Sequence, residues 1–226
     1  MNSSVKRICI DIKELSKNPI DNIFYEPNED NIFEGVALIH GSEGTPYVFG
    51  NYMFHFTFPE NYPLSPPKVK FMTHDGKTRF NPNLYRRGKV CLSILNTWAG
   101  EKWSSCQSLS TILLNLQITL NENPYLNEPG LKYDKYCVDS YNEYILYKNI
   151  EISILKYLDK TNLHPDFVCF HEEIVNNFSK HYDDIVNLIK DKQSTYKSIN
   201  IYNMSAHLNY ENLRNLLIKC KSTYID

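Results

Sequence analysis

No stretch of this 226-residue chain approaches the roughly 20 apolar residues that a membrane-crossing helix needs. Nor does any basic stripe or lysine tract appear. With a net charge of -2 and a pI near 6.4, that absence argues against a general nucleic-acid or anionic-membrane surface. The six cysteines (Cys9, Cys91, Cys106, Cys137, Cys169, Cys220) are widely scattered and include no Cys-x-x-Cys pair. Met1 to Ile10 mixes Lys6 and Arg7 with a run too short and polar for a secretory leader. Together these point to free thiols in a reducing compartment, cytoplasm or nucleus. His164, Cys169, His171 and His181 lack the paired-ligand spacing of a zinc finger or ribbon, so neither a metal nor a cofactor is expected. No internal repeat is present. What remains is ordinary globular composition, 42% hydrophobic and 22% charged, read as one domain with an extension.

The periodicities sketch a mixed architecture. Val5, Ile8, Ile12 and Leu15 recur at near-helical spacing, and Pro19 stops that helix. From Ile32 to Phe71 the chain is β-branched and aromatic, broken by Gly41–Pro46 and Pro59–Pro67 into about three antiparallel strands. Phe54, Phe56 and Phe58 alternate with His55 and Thr57, as a sheet with one buried face requires. Leu109, Ile112, Leu113, Leu116 and Leu120 predict a helix across that sheet, with Ser108 as its N-cap. Asp139–Lys160 reads as a further helix. Beyond Asn162 the pattern is helical through Pro165–Lys192 and again over Asn209–Lys221, with 193–207 as a linker.

A cysteine flanked by Val90 and Leu92 is by itself an ordinary packing residue. Here it follows Asn81-Pro82-Asn83, a turn that sets a carboxamide beside a nucleophile. A thiolate is the best side-chain nucleophile near neutral pH, and an amide donor can stabilise the oxyanion of a tetrahedral intermediate.

Those residues, with Tyr85, Gly88, Cys91-Leu92-Ser93-Ile94-Leu95 and Trp103-Ser104, resemble the ubiquitin-conjugating enzyme family. Upstream, Phe58-Pro59-Glu60-Asn61-Tyr62-Pro63-Leu64-Ser65-Pro66-Pro67 looks like the family's Pro-rich segment, in register with the cysteine. Arg79-Phe80-Asn81-Pro82-Asn83, Asn96-Thr97-Trp98 and Glu122 to Gly130 are most similar to its Z-type branch. The resemblance covers residues 5 to 158 and weakens into the tail.

The resemblance implies an α+β UBC fold: an N-terminal helix, a four-stranded antiparallel meander, a crossover helix and C-terminal helices. A core over residues 1–160 and a helical extension over 161–226 packed on it follow. It further implies that Cys91 takes ubiquitin, or a ubiquitin-like modifier, from an activating enzyme as a thioester. Substrate lysines or a ligase then receive it. Asn83 would serve the oxyanion or brace the loop, and Glu128 or Asn127 would assist the incoming lysine. Asn81 stands where the family usually has a structural His. Leu64, Trp103, Ser104 and Ser105 match the surface that meets RING or HECT ligases, although Ser105 replaces a common Pro. Lys6, Arg7 and Lys13 match the helix face offered to the activating enzyme, and a monomer is expected.

Two other readings compete: an inactive UBC-fold scaffold, against which the cysteine argues, and a cysteine hydrolase pairing Cys91 with His74 or His55. The leading reading requires a sulfur that the modifier's tail can reach.

Overall fold

The computed structural model describes residues 3–225. Helix α1 (Ser3–Lys17) ends two residues before Pro19, as expected. Its buried stripe is Ser4, Ile8, Asp11 and Leu15, with Val5 and Ile12 only half-buried. The stripe turns towards Asp11 because that carboxylate is fully partnered. Arg7 Nε donates to its Oδ1 at 2.8 Å, while the Tyr62 hydroxyl and Leu109 N–H donate to its Oδ2. A buried charge is tolerated only on such terms. One aspartate thereby ties α1 to the Pro-rich segment and to the start of the crossover helix.

Four strands form an antiparallel meander in chain order: β1 (Ile23–Pro27), β2 (Glu34–His40), β3 (Asn51–Thr57) and β4 (Lys68–Phe71). The pairing sets Ile23 opposite Ile39, Ala37 opposite Phe54, and Phe54 opposite Phe71. Strand β1 begins upstream of the Ile32 boundary read from composition. The expectation of one buried face also needs correction. Phe54 and Phe56 are sealed as the alternation requires, yet so are Leu38 at 0% and Met53 at 2% exposure on the opposite face. Strand alternation puts these with His40 and His55, and both histidines meet residues of the tail. Asn177 Nδ2 lies 3.2 Å from His40 Nδ1, and Asp166 lies 3.7 Å from His55.

Helix α2 (Leu109–Thr119) starts at Ser108 with the reciprocal Ser108–Thr111 hydrogen bonds of a capping box. Helix α3 (Lys135–Lys148) starts earlier than Asp139, because Asp134 accepts from Cys137 N–H at 2.8 Å and caps it. Its continuation, Asn149–Lys156, widens into π-helical turns around Asn149. That buried carboxamide donates to Val48 O and accepts from the Tyr52 hydroxyl at 2.6 Å. Gly50 is required there, since a Cβ would fall on the Asn149 oxygen.

The tail runs through a 3-10 segment (Pro165–Phe170), α4 (His171–Lys180), α5 (Tyr182–Ile189), β5 (Thr195–Ile199), β6 (Met204–Leu208) and α6 (Tyr210–Tyr224). The expected linker at 193–207 is instead a β-hairpin. Ile199, Met204 and Leu208 face inward, and Tyr202 and Asn203 take positive φ in its turn. Short polar strands carry little periodicity, which is why the hairpin reads as linker. On α6, Leu213 and Leu217 are buried and Leu216 is 38% exposed.

Candidate functional site

The turn after β4 is built backwards from its buried amides. Asn81 is wholly buried. Its Nδ2 donates to the Tyr47 hydroxyl and to Thr119 O, both at 2.9 Å, and its Oδ1 accepts from Asn83 N–H at 2.9 Å. A carboxamide thus does the bridging work, anchoring the turn to the C-terminal end of α2. Burial pushes the Tyr47 hydroxyl well above its ordinary pKa, so it stays a neutral partner. Upstream, Asp75 accepts from the N–H groups of Lys77 and Thr78 and from the Thr78 hydroxyl. Burial alone would raise its pKa, but these donors outweigh that and hold the carboxyl below the usual range.

Asn83 and Cys91 form a closed pair. Cys91 N–H donates to Asn83 O at 2.9 Å, and Asn83 Nδ2 donates to Cys91 O at 2.7 Å. In this state the carboxamide therefore braces the cysteine's own main chain. Between them the chain reverses through Tyr85–Gly88, where Gly88 has φ +91 and a Cβ would strike Phe71 O. The Ser93–Leu95 turn follows, and the Thr97 hydroxyl donates to Val90 O at 3.0 Å.

Cys91 itself is 1% exposed. The reachable sulfur required by the sequence reading is not found in this state, because the residue sits between the Asn83 turn and the Ser93–Leu95 turn with both main-chain groups bonded inward. Open clefts do flank it. Val90 and Leu95 line one of about 200 Å³, and Thr97, Trp98 and Pro129 line another of about 500 Å³. Acyl transfer at this sulfur requires a shift of the segments over it.

The loop after α2 splits the two candidate residues. Asn127 turns inward, donating to Asn81 Oδ1 at 3.3 Å and Thr119 O at 3.2 Å and accepting from Asn121 at 2.9 Å. Its amide is committed to the scaffold. Glu128 is half-exposed, and its carboxylate accepts from the Tyr202 hydroxyl in the tail hairpin. Burial, then this carboxylate, pushes the tyrosine's pKa well up, so the hydroxyl remains a donor.

On the other side of the Pro-rich segment, Leu64 is 75% exposed. Trp103 Nε1 donates to Pro63 O at 2.8 Å, which brings exposed Ser104 and Ser105 beside that leucine. Lys6 and Lys13 are exposed on α1. Arg7, grouped with them from sequence, is largely engaged: besides Asp11 it donates to Ser105 O at 2.9 Å and Gln107 O at 2.5 Å. His55 and His74 are not brought into a hydrogen bond with Cys91. Among the described residues no cluster of three metal-ligating side chains occurs.

One group escaped the sequence reading altogether. The Arg79 guanidinium lies 3.4 Å from the centroid of the Tyr85 ring and 4.3 Å from that of Tyr202, and donates to Pro82 O at 2.6 Å. Arg86 donates to Tyr202 O, and Arg79 N–H to Met204 Sδ at 3.1 Å. Arg79 stood within the quoted Arg79–Asn83 motif, but nothing in the 193–207 stretch signalled Tyr202 as its partner.

The family model described as Ubiquitin-conjugating enzyme matches residues 7–145, and the chain belongs to that family. It is 41% identical over 194 residues to the Ubiquitin-conjugating enzyme E2 Z of Xenopus tropicalis, covering 84% of this chain and 61% of that protein. The Homo sapiens protein of the same name is 45% identical over 151 residues, covering 66% and 43%. The chain spans about three fifths or less of the length of these relatives. The structure of human Ubiquitin-conjugating enzyme E2 G1 is 30% identical, covering 53% of this chain and 96% of that one, with a TM-score of 0.47.

Proposed function

We propose that the protein accepts the C-terminal carboxyl of ubiquitin, or of a ubiquitin-like modifier, on Cys91 and passes it to a lysine. The Cys91 thiolate attacks the activating enzyme's thioester carbonyl, an oxyanion forms, and the activating enzyme's thiolate leaves. A substrate amine then attacks the new thioester, loses a proton, and the Cys91 thiolate departs; a ligase cysteine is the other acceptor. An incoming thioester is already activated, so the scheme needs no base beside the sulfur. The single observation that carries this is the closed Asn83–Cys91 pair within the family's motif.

For Asn83 to meet the oxyanion, its Nδ2 must exchange Cys91 O for the substrate oxygen. Glu128, the freer of the two loop residues, is our candidate for receiving the lysine's proton, and Asn127 is a positioning residue. The exposed Leu64, with Trp103, Ser104 and Ser105, is the proposed ligase face. Lys6 and Lys13 are the proposed face for the activating enzyme, with Arg7 holding their helix in place. Residues 1–160 carry this chemistry, with 161–226 as the packed extension.

With activating enzyme, ubiquitin and ATP, a thiol-sensitive adduct should form on a non-reducing gel and vanish in Cys91→Ala. An adduct unaffected by that substitution would falsify the assignment of the sulfur. Asn83→Ala should slow discharge to free lysine about 100- to 1,000-fold, the usual loss for one oxyanion donor; a normal rate removes its role. The 1% exposure of Cys91 favours a second reading, a scaffold that binds partners without being charged. Complete absence of the adduct, with a native fold and each candidate modifier supplied, selects it.

A further inference from the structure

Between the Tyr85–Lys89 turn and the tail hairpin lies an open cleft of about 370 Å³, lined by Arg79, Tyr85, Arg86, Arg87, Lys89 and Tyr202. Four cations and two tyrosines form it, and no acidic side chain does. In a chain whose net charge is -2, this concentration is local. We propose that the cleft docks an acidic side chain of the acceptor polypeptide, a carboxylate a few residues from the lysine that attacks the thioester. This rests on the acyl-transfer reading above.

The cations are not equivalent. Arg79 is held between two rings and a carbonyl, so it forms the floor and contributes charge. Arg86 spends one amino group on Tyr202 O, yet its Nε is buried without a hydrogen-bond partner. That nitrogen has no open surface, so Arg86 contributes charge to the wall of the cleft rather than a contact for an incoming carboxylate. Arg87 and Lys89 are exposed, and among the described residues neither meets a carboxylate. Lys89 Nζ reaches only the Tyr85 ring, 5.3 Å from its centroid. A planar carboxylate matches the arginine fork, and the lysine adds a point charge. The neighbouring carboxylate, Glu128, is tied to the Tyr202 hydroxyl and so faces the cleft's hairpin wall.

Position identifies the partner. Lys89 stands two residues before Cys91, and two residues of extended chain span about 7 Å. A peptide whose lysine reaches the thioester therefore carries its flanking residues over the cleft. Electrostatic capture there raises the local concentration of acidic acceptors without altering the bond chemistry.

The test compares single-turnover discharge from the charged protein to two lysine peptides that differ only in Glu or Gln positions around the lysine. The Glu peptides should show a KM lower by about tenfold, as a charge-assisted hydrogen bond supplies. Arg87→Ser with Lys89→Ser should bring the ratio to about one, and so should 0.5 M salt. Equal KM values in the unaltered protein, or a ratio the double variant leaves intact, overturn the proposal. Fluorescence anisotropy of the same peptides on uncharged protein separates the two readings. Failure to charge with preferential, Arg87- and Lys89-dependent Glu binding removes the acyl-transfer reading and keeps the acidic site. Normal charging with equal binding of both peptides does the reverse. Tighter binding of a short oligouridylate than of the Glu peptide overturns it in favour of nucleic acid.

Discussion

The sheet region and the tail are held by different forces. In the sheet region Phe54, Phe56, Phe71, Ile112 and Leu116 each sit buried where strand alternation or a helical stripe puts them. The tail is docked in large part by polar latches. Asn177 Nδ2 reaches His40 at 3.2 Å, Phe49 O at 2.9 Å and Asn51 Oδ1 at 3.3 Å; Tyr202 reaches Glu128; Lys197 reaches Glu143 at 2.6 Å. The latches bring apolar residues with them. Phe167, Ile174, Phe178 and Ile185 are all sealed. The segment read as an extension packed on the core meets the sheet's second face at His40 and His55 and walls the cleft beside the Tyr85–Lys89 turn.

The largest effect expected is on cooperativity. Phe54→Ala in the sheet and Phe178→Ala in α4 each empty a fully enclosed site, which costs about 3–5 kcal/mol. If the two regions form one unit, both variants shift a single unfolding transition by similar amounts, read by circular dichroism in urea. A biphasic curve for Phe178→Ala alone would break that unity and make the tail an independently melting layer.

A smaller effect separates the thiols. Cys106 and Cys169 are exposed and Cys91 is buried, so maleimide labelling followed by peptide mapping should find the first two modified well before the third. Tyr202→Ala removes the hairpin's hold on Glu128 and should speed the labelling of Cys91 relative to Cys106. An unchanged ratio assigns the cover over Cys91 to the core's own turns rather than to the tail.

The difference between the regions is also why they were unequally legible. Proline placement, the tryptophan and the phenylalanine alternation announce the meander, α2 and the Asn83–Cys91 turn, because these are local rules acting over a few residues. Ser108 was readable as a cap for the same reason. Nothing local says that Leu38 and Met53 are covered from behind, since the tail residues that meet this face lie more than a hundred residues away. Residues 195–208 do pair locally, with each other, but strands this short and polar carry too little periodicity to announce it. The engagement of Arg7 by Ser105 and Gln107 is likewise a long-range fact, whereas the burial of Cys91 between two neighbouring turns is local but carries no period that announces it. Arg79, Arg86 and Tyr202 become a site only when the hairpin arrives.

The smallest effect is a titration at the junction of the two regions. His40 is buried against α4, and burial lowers its pKa below the ordinary value of about 6.5, with the opposing pull of Glu173 only partly offsetting it. His181 adds a further lowering influence, and the ring nitrogens face Asn177 and Glu173. As pH falls below about 6.5 the unfolded imidazole takes its proton before the folded one. The stability contributed by neutral His40 is thus fully present above that value and is lost as pH falls towards the folded pKa. Between about pH 7.5 and 5.5 the Tm should therefore fall, read by differential scanning calorimetry across that range. His74, held low by burial and by Lys156 and Lys70, contributes with the same sign. His40→Gln should therefore flatten the profile without abolishing it. A slope identical to that of the unaltered protein would mean that the polar latch at Asn177 does not sense the proton, and that apolar burial alone sets the tail's hold on the sheet.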